Sequence, residues 1–451
     1  MRIAIIGGGA TGALAAVHLA RRLAGRAEAI LLVEPSETVG RGLAYSTTDS
    51  RHLLNVRVSN MSAFPEEPQH LHDWLRRQGG QPCPTPFCFI SRGRYGDYLS
   101  DLAQEVLASG AVRHVRDVCV DIVERRDGAT LRLGSGATIE ADHVVLATGN
   151  DAKPAVNGFP AEQPWTPGSL DGLSPEAPIL VIGTGLTMVD MALSLDRRGH
   201  RGPIVAVSRR GLLPSAHRST APRAIGADEI PFGTDLSKLL AWLRGFSAGL
   251  AAEGVDWRSA VDALRPHTQR LWREMTLEQK RRFLRHARVY WDVHRHRMAP
   301  EIEQALARLM RDGRLTVIAG RILAVRRDAD RLRVQIAPRG ATDRQESIFA
   351  RVIDCTGLAD DPLKSSNPLL CALFARGALR PDALGIGLDV AETYRIVGAG
   401  GARSQRIRAI GPLARAAFWE CIAIPDIRVQ CSEIAEAMAE AARDEAKEPA
   451  F

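Results

Sequence analysis

The chain has 451 residues, 45% apolar and 25% charged, with Lys+Arg at 59 against Asp+Glu at 52 and a formal net charge of +7. That is roughly three domains' worth of chain at about 150 residues each, with an ordinary globular composition. No apolar run approaches the roughly 18 residues that cross a bilayer, and the first apolar run starts too early for a removable leader, so a soluble, cytoplasmic protein without a membrane partner is expected.

Ile3-Ala4-Ile5-Ile6 reads as a short buried strand. It runs into Gly7-Gly8-Gly9-Ala10-Thr11-Gly12 and then a helical stretch over 13–23. A second apolar strand, Ile30-Leu31-Leu32-Val33, ends in Glu34. Gly7 permits a tight turn, Gly9 lets the backbone approach a pyrophosphate, and Gly12 lets helix and strand pack closely. Ala10 and Thr11 open the helix, whose N-terminus faces phosphates. Glu34, roughly 20 residues on, stands where a ribose hydroxyl needs an acceptor. Strand, glycines, helix, strand and acid in this order point to a dinucleotide with a free ribose hydroxyl.

Short strands with turn signals follow over 118–139, the turns falling at Asp127-Gly128 and Gly134-Ser135-Gly136. The stretch closes on His143-Val144-Val145-Leu146-Ala147-Thr148-Gly149. Val118, Thr148 and Gly149 are placed against the first nucleotide. A Pro- and Gly-rich linker, including Pro167, covers 160–178.

The design then repeats. Ile179-Leu180-Val181-Ile182 leads into Gly183-Thr184-Gly185-Leu186 and a helix through Leu195, with Met188 where a third glycine would stand. The next strand, 203–207, ends in Ser208-Arg209-Arg210 and not in an acid. An acid would repel a 2′-phosphate and an arginine pair would bind it, which makes NADPH the second nucleotide. The alternative is a solvated basic turn. Short strands over 315–336, turning near Asp328-Ala329-Asp330, close on Val352-Ile353-Asp354-Cys355-Thr356-Gly357. This internal duplication suggests an electron relay in which NADPH delivers hydride to a bound FAD. No hydrolytic motif accompanies it, and no metal site is expected.

The fold class is therefore α/β, with two dinucleotide-binding (Rossmann-like) modules. The first part of the FAD module is expected over 1–170. The NADPH module, inserted into it, covers 171–353 and carries a helical insertion at about 235–311. A return segment and C-terminal helix of the FAD module cover 354–451. Residues 280–297 are rich in Arg and His. They read as a helical face turned partly towards a ligand, since no nucleic-acid motif accompanies them and no nucleic-acid partner is expected. The seven cysteines include no C-x-x-C pair, and the Cys83–Cys88 spacing matches neither a redox dithiol nor a zinc site. Reduced thiols are expected, which argues against a disulfide reductase.

Several further strings carry a resemblance. They are Gly40-Arg41-Gly42-Leu43-Ala44-Tyr45, His52-Leu53-Leu54-Asn55-Val56, Met61-Ser62-Ala63-Phe64-Pro65, and Ser208-Arg209-Arg210-Gly211-Leu212-Leu213-Pro214. Further on come Tyr290-Trp291-Asp292-Val293-His294-Arg295-His296-Arg297-Met298-Ala299-Pro300, Ile410-Gly411-Pro412-Leu413, Trp419-Glu420 and Ile424-Pro425-Asp426-Ile427-Arg428. With the two glycine loops they resemble a family of FAD/NAD(P)-binding flavoproteins, which includes FAD-dependent urate hydroxylases and the L-aspartate N-monooxygenase that makes nitrosuccinate. The resemblance spans nearly the whole chain and is specific for the broad family, not for either activity. It implies an FAD- and NADPH-dependent monooxygenase that uses molecular oxygen, through a C4a-hydroperoxyflavin, on a small polar nitrogen-containing molecule. An NADPH-dependent reductase with another acceptor and a non-catalytic nucleotide-binding flavoprotein stand as alternatives.

The individual residues leave choices open. Arg41, beside Gly42, either neutralises the FAD pyrophosphate or forms a surface salt bridge. Asn55 either meets the isoalloxazine edge or substrate, or caps a turn. His52 reads as structural before catalytic, and the catalytic side chains stay unassigned. Gly411 and Pro412 are placed at the cofactor. Asp426 opens a helix whose N-terminus either faces reduced flavin or simply packs. Nothing in the sequence sets the oligomeric state.

Overall fold

Strands buried on both faces read as continuous apolar runs, and the runs above become the parallel centres of two mixed sheets. The computed structural model describes every residue except 80–82, 151–157, 167, 358–360 and 446–451, so the linker proline Pro167 lies outside the described residues. The first sheet has the order β14 (Arg395–Val397), β15 (Arg403–Ala409), β7 (His143–Leu146), β1 (Arg2–Ile6), β2 (Ala29–Val33) and β3 (Arg113–Val115). β1 runs parallel to both neighbours, with Ile3 opposite Ile30 on one side and His143 on the other. The chain leaves β1 towards β2 and later returns on β1's other side as β7. The carboxyl end of β1 is thus a topological switch point, where open α/β sheets bind ligands.

The second sheet repeats the plan in the order β12 (Gln345–Phe349), β11 (Arg331–Pro338), β10 (Leu315–Asp328), β9 (Ile204–Ser208), β8 (Ile179–Ile182) and β13 (Arg351–Asp354). β8 lies between β9 and β13, parallel to both. A third sheet holds β4 (Cys119–Glu124), β5 (Ala129–Leu133) and β6 (Thr138–Ala141). After β13 the chain goes back to the first sheet through β14 and β15, so that sheet takes strands from both ends of the chain.

The two halves differ in one respect. The small strands of the first half form a separate sheet, whereas β10 runs for 14 residues. Its first part pairs in parallel with β9 and its later part antiparallel with β11, with a bulge between Ile322 and Ala324. Gly320 stands at the changeover. A Cβ there would lie 2.8 Å from the Ala337 oxygen, so a bare backbone lets β11 approach.

The Ala10–Arg22 helix is buried from Thr11 to Ala20 and packs against the last helix, Ile424–Glu445. Between β9 and β10 the regular elements are helical and include Trp257–Leu264, Arg288–Arg295 and Pro300–Arg311. Among the described residues no helix is long and apolar enough to cross a membrane.

One sequence expectation is corrected. Cys83 and Cys88 form a disulfide, with Cα atoms 5.6 Å apart. The Cys88 amide donates to the Thr85 carbonyl, a turn that folds the intervening Pro84 and Pro86 segment back on itself. This brings the cysteines within bridging range, which a test for redox-dithiol spacing does not register. The other five cysteines are free.

Candidate functional site

The first glycine loop sits at the carboxyl end of β1. Gly7 has φ +101° and its amide donates to the Val33 carbonyl at 2.9 Å, tying the turn to β2. A Cβ on Gly7 would meet the Ala147 oxygen at 2.7 Å, and one on Gly12 would meet the Gly7 oxygen at 1.7 Å. These two glycines are packing requirements. Gly9 caps the Ala10–Arg22 helix without a side-chain hydrogen bond. The first-turn amides, from Ala10 and Thr11 onward, have no acceptor within the helix, so this end offers donors and a positive dipole to an anion.

Glu34 lies at the end of β2. One carboxylate oxygen accepts from the Gly8 amide at 2.7 Å and the other from Ser36 at 3.0 Å. Each oxygen keeps a further lone pair for a hydroxyl. His114 reaches the Glu34 carbonyl at 2.9 Å, and Val118 follows β3 as an exposed residue. Gly42 packs against Gly9, with a Cβ on Gly9 falling 3.4 Å from the Gly42 Cα. Arg41 pairs with Asp97. Thr148 and Gly149 follow β7, and Gly411 follows β15. Gly411 lies on the loop itself, since a Cβ there would sit 2.9 Å from the Thr11 hydroxyl oxygen. Gly149, Pro412, Leu370 and Gly387 line a small cleft beside it. Glycine loop, uncapped helix, acceptor on β2 and open backbone at Gly149 together fit an adenine dinucleotide laid across the ends of β1, β2, β7 and β15.

The second loop has the same form. Gly183 has φ +105°, and Gly185 caps the Leu186–Arg197 helix without a side-chain bond. A Cβ on Gly185 would meet nothing within 4 Å, so that face is open. The Thr184 hydroxyl bonds Ser208 at 2.8 Å and the Leu212 carbonyl at 2.6 Å, which ties the loop to the end of β9. The arginine pair is split. Arg210 donates to the Tyr290 hydroxyl at 2.8 Å and lies 4.9 Å over its ring, whereas Arg209 is exposed.

His52 and Asn55 act across the seam between the sheets. His52 bonds the Thr47 hydroxyl through Nδ1 at 2.8 Å and Ser194 through Nε2 at 2.8 Å. It thereby ties its loop to the Leu186–Arg197 helix. The Asn55 carbonyl accepts from His217 Nε2 at 3.0 Å. Burial pulls the His217 imidazole down to about 4, so it stays neutral with its proton on Nε2.

Asp426 lies in the first turn of the last helix, partly buried, with Arg265 Nη2 at 3.8 Å. Burial pushes its carboxyl up to about 6 against the pull of Arg265. Five residues to which sequence reasoning gave no individual role, Glu420 among them, gather around its carboxylate, whose charge also bears on Asp426. Glu420 is buried with φ +68°, and it accepts from Trp291 Nε1 at 2.6 Å and Arg295 Nε at 3.2 Å. Asp292 and His296 face each other at 3.8 Å. About a third of each side chain is open (36% and 29%). Yet burial raises the Asp292 carboxyl and lowers the His296 imidazole. The Glu420 charge bears on both, so the three side chains form one charged cluster. The i, i+4 spacing of Asp292 and His296 is legible in the sequence; their meeting with Glu420 is not.

A groove of about 780 Å³ lies elsewhere, lined by Arg2, Leu23, Glu28, Arg113 and Glu140 at the amino ends of the strands. It is at the wrong end of the sheet for the phosphate-binding backbone. Among the described residues no group of His, Cys, Asp or Glu gathers as metal ligands.

Residues 4–151 match the family model described as FAD-NAD(P)-binding. No curated protein matches the chain. Among solved structures it is similar to L-lysine 6-monooxygenase from Pseudomonas syringae, with a TM-score of 0.65, 18% identity, and coverage of 98% of this chain and 99% of that one. It is also similar to the ornithine N-hydroxylase of Kutzneria sp. 744 (TM-score 0.64, 15% identity, 98% and 99% covered). A third is the ornithine hydroxylase of Pseudomonas aeruginosa (TM-score 0.63, 14% identity, 97% and 98% covered). At these identities the likeness is one of fold, and it extends over both sheets and the helical segment between them.

Proposed function

We propose that this chain is an FAD-dependent, NADPH-using oxidoreductase, a monooxygenase acting on a small nitrogen-bearing molecule. The observation that carries the reading is the pair of uncapped glycine loops, each at the carboxyl end of parallel central strands, on one continuous fold. The first takes FAD because Glu34 offers acceptors to a ribose hydroxyl; the second takes NADPH because the matching strand ends in Ser208, followed by Arg209, and not in an acid. When bound, FAD accepts hydride from NADPH and activates oxygen. The chain's own residues hold both nucleotides by backbone amides, and Arg295, Asp292, His296 and Asp426 gather with Glu420 into a charged cluster at the turn that enters the last helix. Three solved structures with this fold are an L-lysine 6-monooxygenase, an ornithine N-hydroxylase and an ornithine hydroxylase, which supports a nitrogen-bearing substrate. Neither urate nor aspartate is singled out by a residue of this cluster. The compartment we favour is the cytoplasm.

The test is one experiment on purified protein. Its absorbance spectrum reports flavin, anaerobic NADPH reports hydride transfer, and admission of air reports the oxygen reaction. The reading expects a flavin spectrum, bleaching by NADPH and recovery in air. A protein without flavin would remove it. Reduced flavin that ignores air and reduces a quinone would replace it with a reductase.

A further inference from the structure

We propose that Glu420 is a positioning residue for the flavin reaction, fixing the Arg288–Arg295 helix against the turn that enters the last helix. The proposal rests on the flavin reading above and adds a residue to it.

The backbone comes first. Glu420 has φ +68°, a region that favours glycine and costs a side-chain-bearing residue. It is also buried, at 7% exposure, where an unpaired carboxylate is disfavoured. A glutamate disfavoured on both counts needs compensation, and the structure shows it. Both carboxylate oxygens are committed, one to Trp291 and the other to Arg295. These donors are four residues apart, on one face of one helix.

The next residue ties this point to the first glycine loop. The Cys421 thiol donates to the Gly411 carbonyl at 3.0 Å, and the Gly411 amide donates to Gln430 on the last helix at 2.8 Å. Gly411 in turn lies on Thr11, in the first turn of the Ala10–Arg22 helix. A chain of contacts therefore runs from the phosphate-facing helix end, through Gly411 and Cys421, to Glu420 and the inserted helix.

The same carboxylate acts on the titratable groups around it. Its charge pushes Asp426, Asp292 and His296 upward together. Arg265, Arg295 and Arg428 oppose it at Asp426. Arg288 opposes it at Asp292, and Arg288 and Arg295 oppose it at His296. Asp292 and His296 also raise and lower each other. Removing the Glu420 charge therefore lowers the protonation midpoint of all three groups.

The experiment uses Glu420→Gln, Glu420→Asp and Trp291→Phe as FAD-loaded proteins. Flavin reduction by NADPH and reoxidation in air are followed from about pH 5 to about pH 8. Glu420→Gln is expected to slow reoxidation several-fold and to move the pH midpoint down by about half a unit. Glu420→Asp keeps the charge but is too short to reach both donors. It should keep the wild-type midpoint and still lose rate. A wild-type rate and midpoint in either glutamate variant overturns the proposal. So does a lower melting temperature with unchanged rate and midpoint, which a purely structural role predicts. If neither variant is recovered with FAD, Trp291→Phe decides: slower reoxidation supports the proposal and a wild-type rate overturns it. A wild-type protein that NADPH fails to reduce overturns the flavin reading itself, and this proposal with it.

Discussion

One methyl group separates the glycines by role. A Cβ on Gly12 would lie 1.7 Å from the Gly7 oxygen, and backbone on both sides leaves no way to relax. Gly12→Ala is expected to cost more than about 2 kcal/mol and to lose FAD. A melting curve and the flavin-to-protein absorbance ratio check this; wild-type values for both would refute the packing reading. Gly185 is the contrast, because a Cβ there meets nothing within 4 Å. Gly185→Ala should fold and hold FAD as the wild type does, and any loss should appear only in reduction by NADPH. The arginine pair is also unequal. Arg210 already bonds and stacks on Tyr290, so Arg209 is the residue with a guanidinium to offer a 2′-phosphate. A charge-assisted contact is worth about 1.5–3 kcal/mol, so Arg209→Ala should reduce the NADPH-over-NADH preference about tenfold, and Arg210→Ala less. Anaerobic reduction with both nucleotides measures the ratio. If Arg209→Ala leaves it unchanged, the pair is a solvated turn.

At the scale of elements, what was legible followed from local pattern. Ile3-Ala4-Ile5-Ile6 and Ile179-Leu180-Val181-Ile182 are apolar without interruption, and both became central strands. The turn at Asp328-Ala329-Asp330 was read from composition, and Ala329 adopts φ +53° there. Periodicity could not show that β10 would continue for 14 residues into a second pairing, because that depends on β11 passing Gly320. Nor could it bring Trp291 to Glu420, which lie 129 positions apart. The disulfide was missed for a related reason: it depends on how residues 83–90 lie along 54–60. The Leu54 amide donates to Ile90, Val58 to Cys88 and Ser59 to Pro86. The bridge therefore staples the segment that carries Asn55. Denatured, unreduced protein should titrate five thiols, rising to seven after reduction. Cys83→Ser with Cys88→Ser should lower stability by about 2 kcal/mol in a denaturant titration, the chain-entropy value for so short a loop. Seven thiols before reduction would show that the bridge does not form.

For the whole molecule, pH is where the buried groups compete. Burial lowers His18, His70, His143, His200, His217 and His296 together. A histidine held neutral in the fold contributes stability that is present above its ordinary pKa and lost as pH falls through the folded value. For His143 and His217 that window runs from 6.5 down to about 4. Asp426 has the opposite sign. Its carboxyl is raised from 3.8 to about 6, so its contribution is present below the lower value and lost as pH rises through the upper one. Each shift amounts to about 3 kcal/mol at roughly 1.4 kcal/mol per unit. Two histidines of that size outweigh one aspartate, so net stability should fall on acidification across this window. His143 decides whether the account is right. It is 8% exposed in β7, and its Nδ1 makes no hydrogen bond. Arg408 and Arg406 also disfavour its charge. His143→Leu removes the titration and keeps an apolar strand. Its urea midpoint at about pH 7.5 should match or exceed that of the wild type. Between there and about pH 4.5 it should lose about 2–3 kcal/mol less than the wild type loses. An equal loss in both proteins would mean that His143 does not take up a proton on unfolding, and that the acid limb comes from another group.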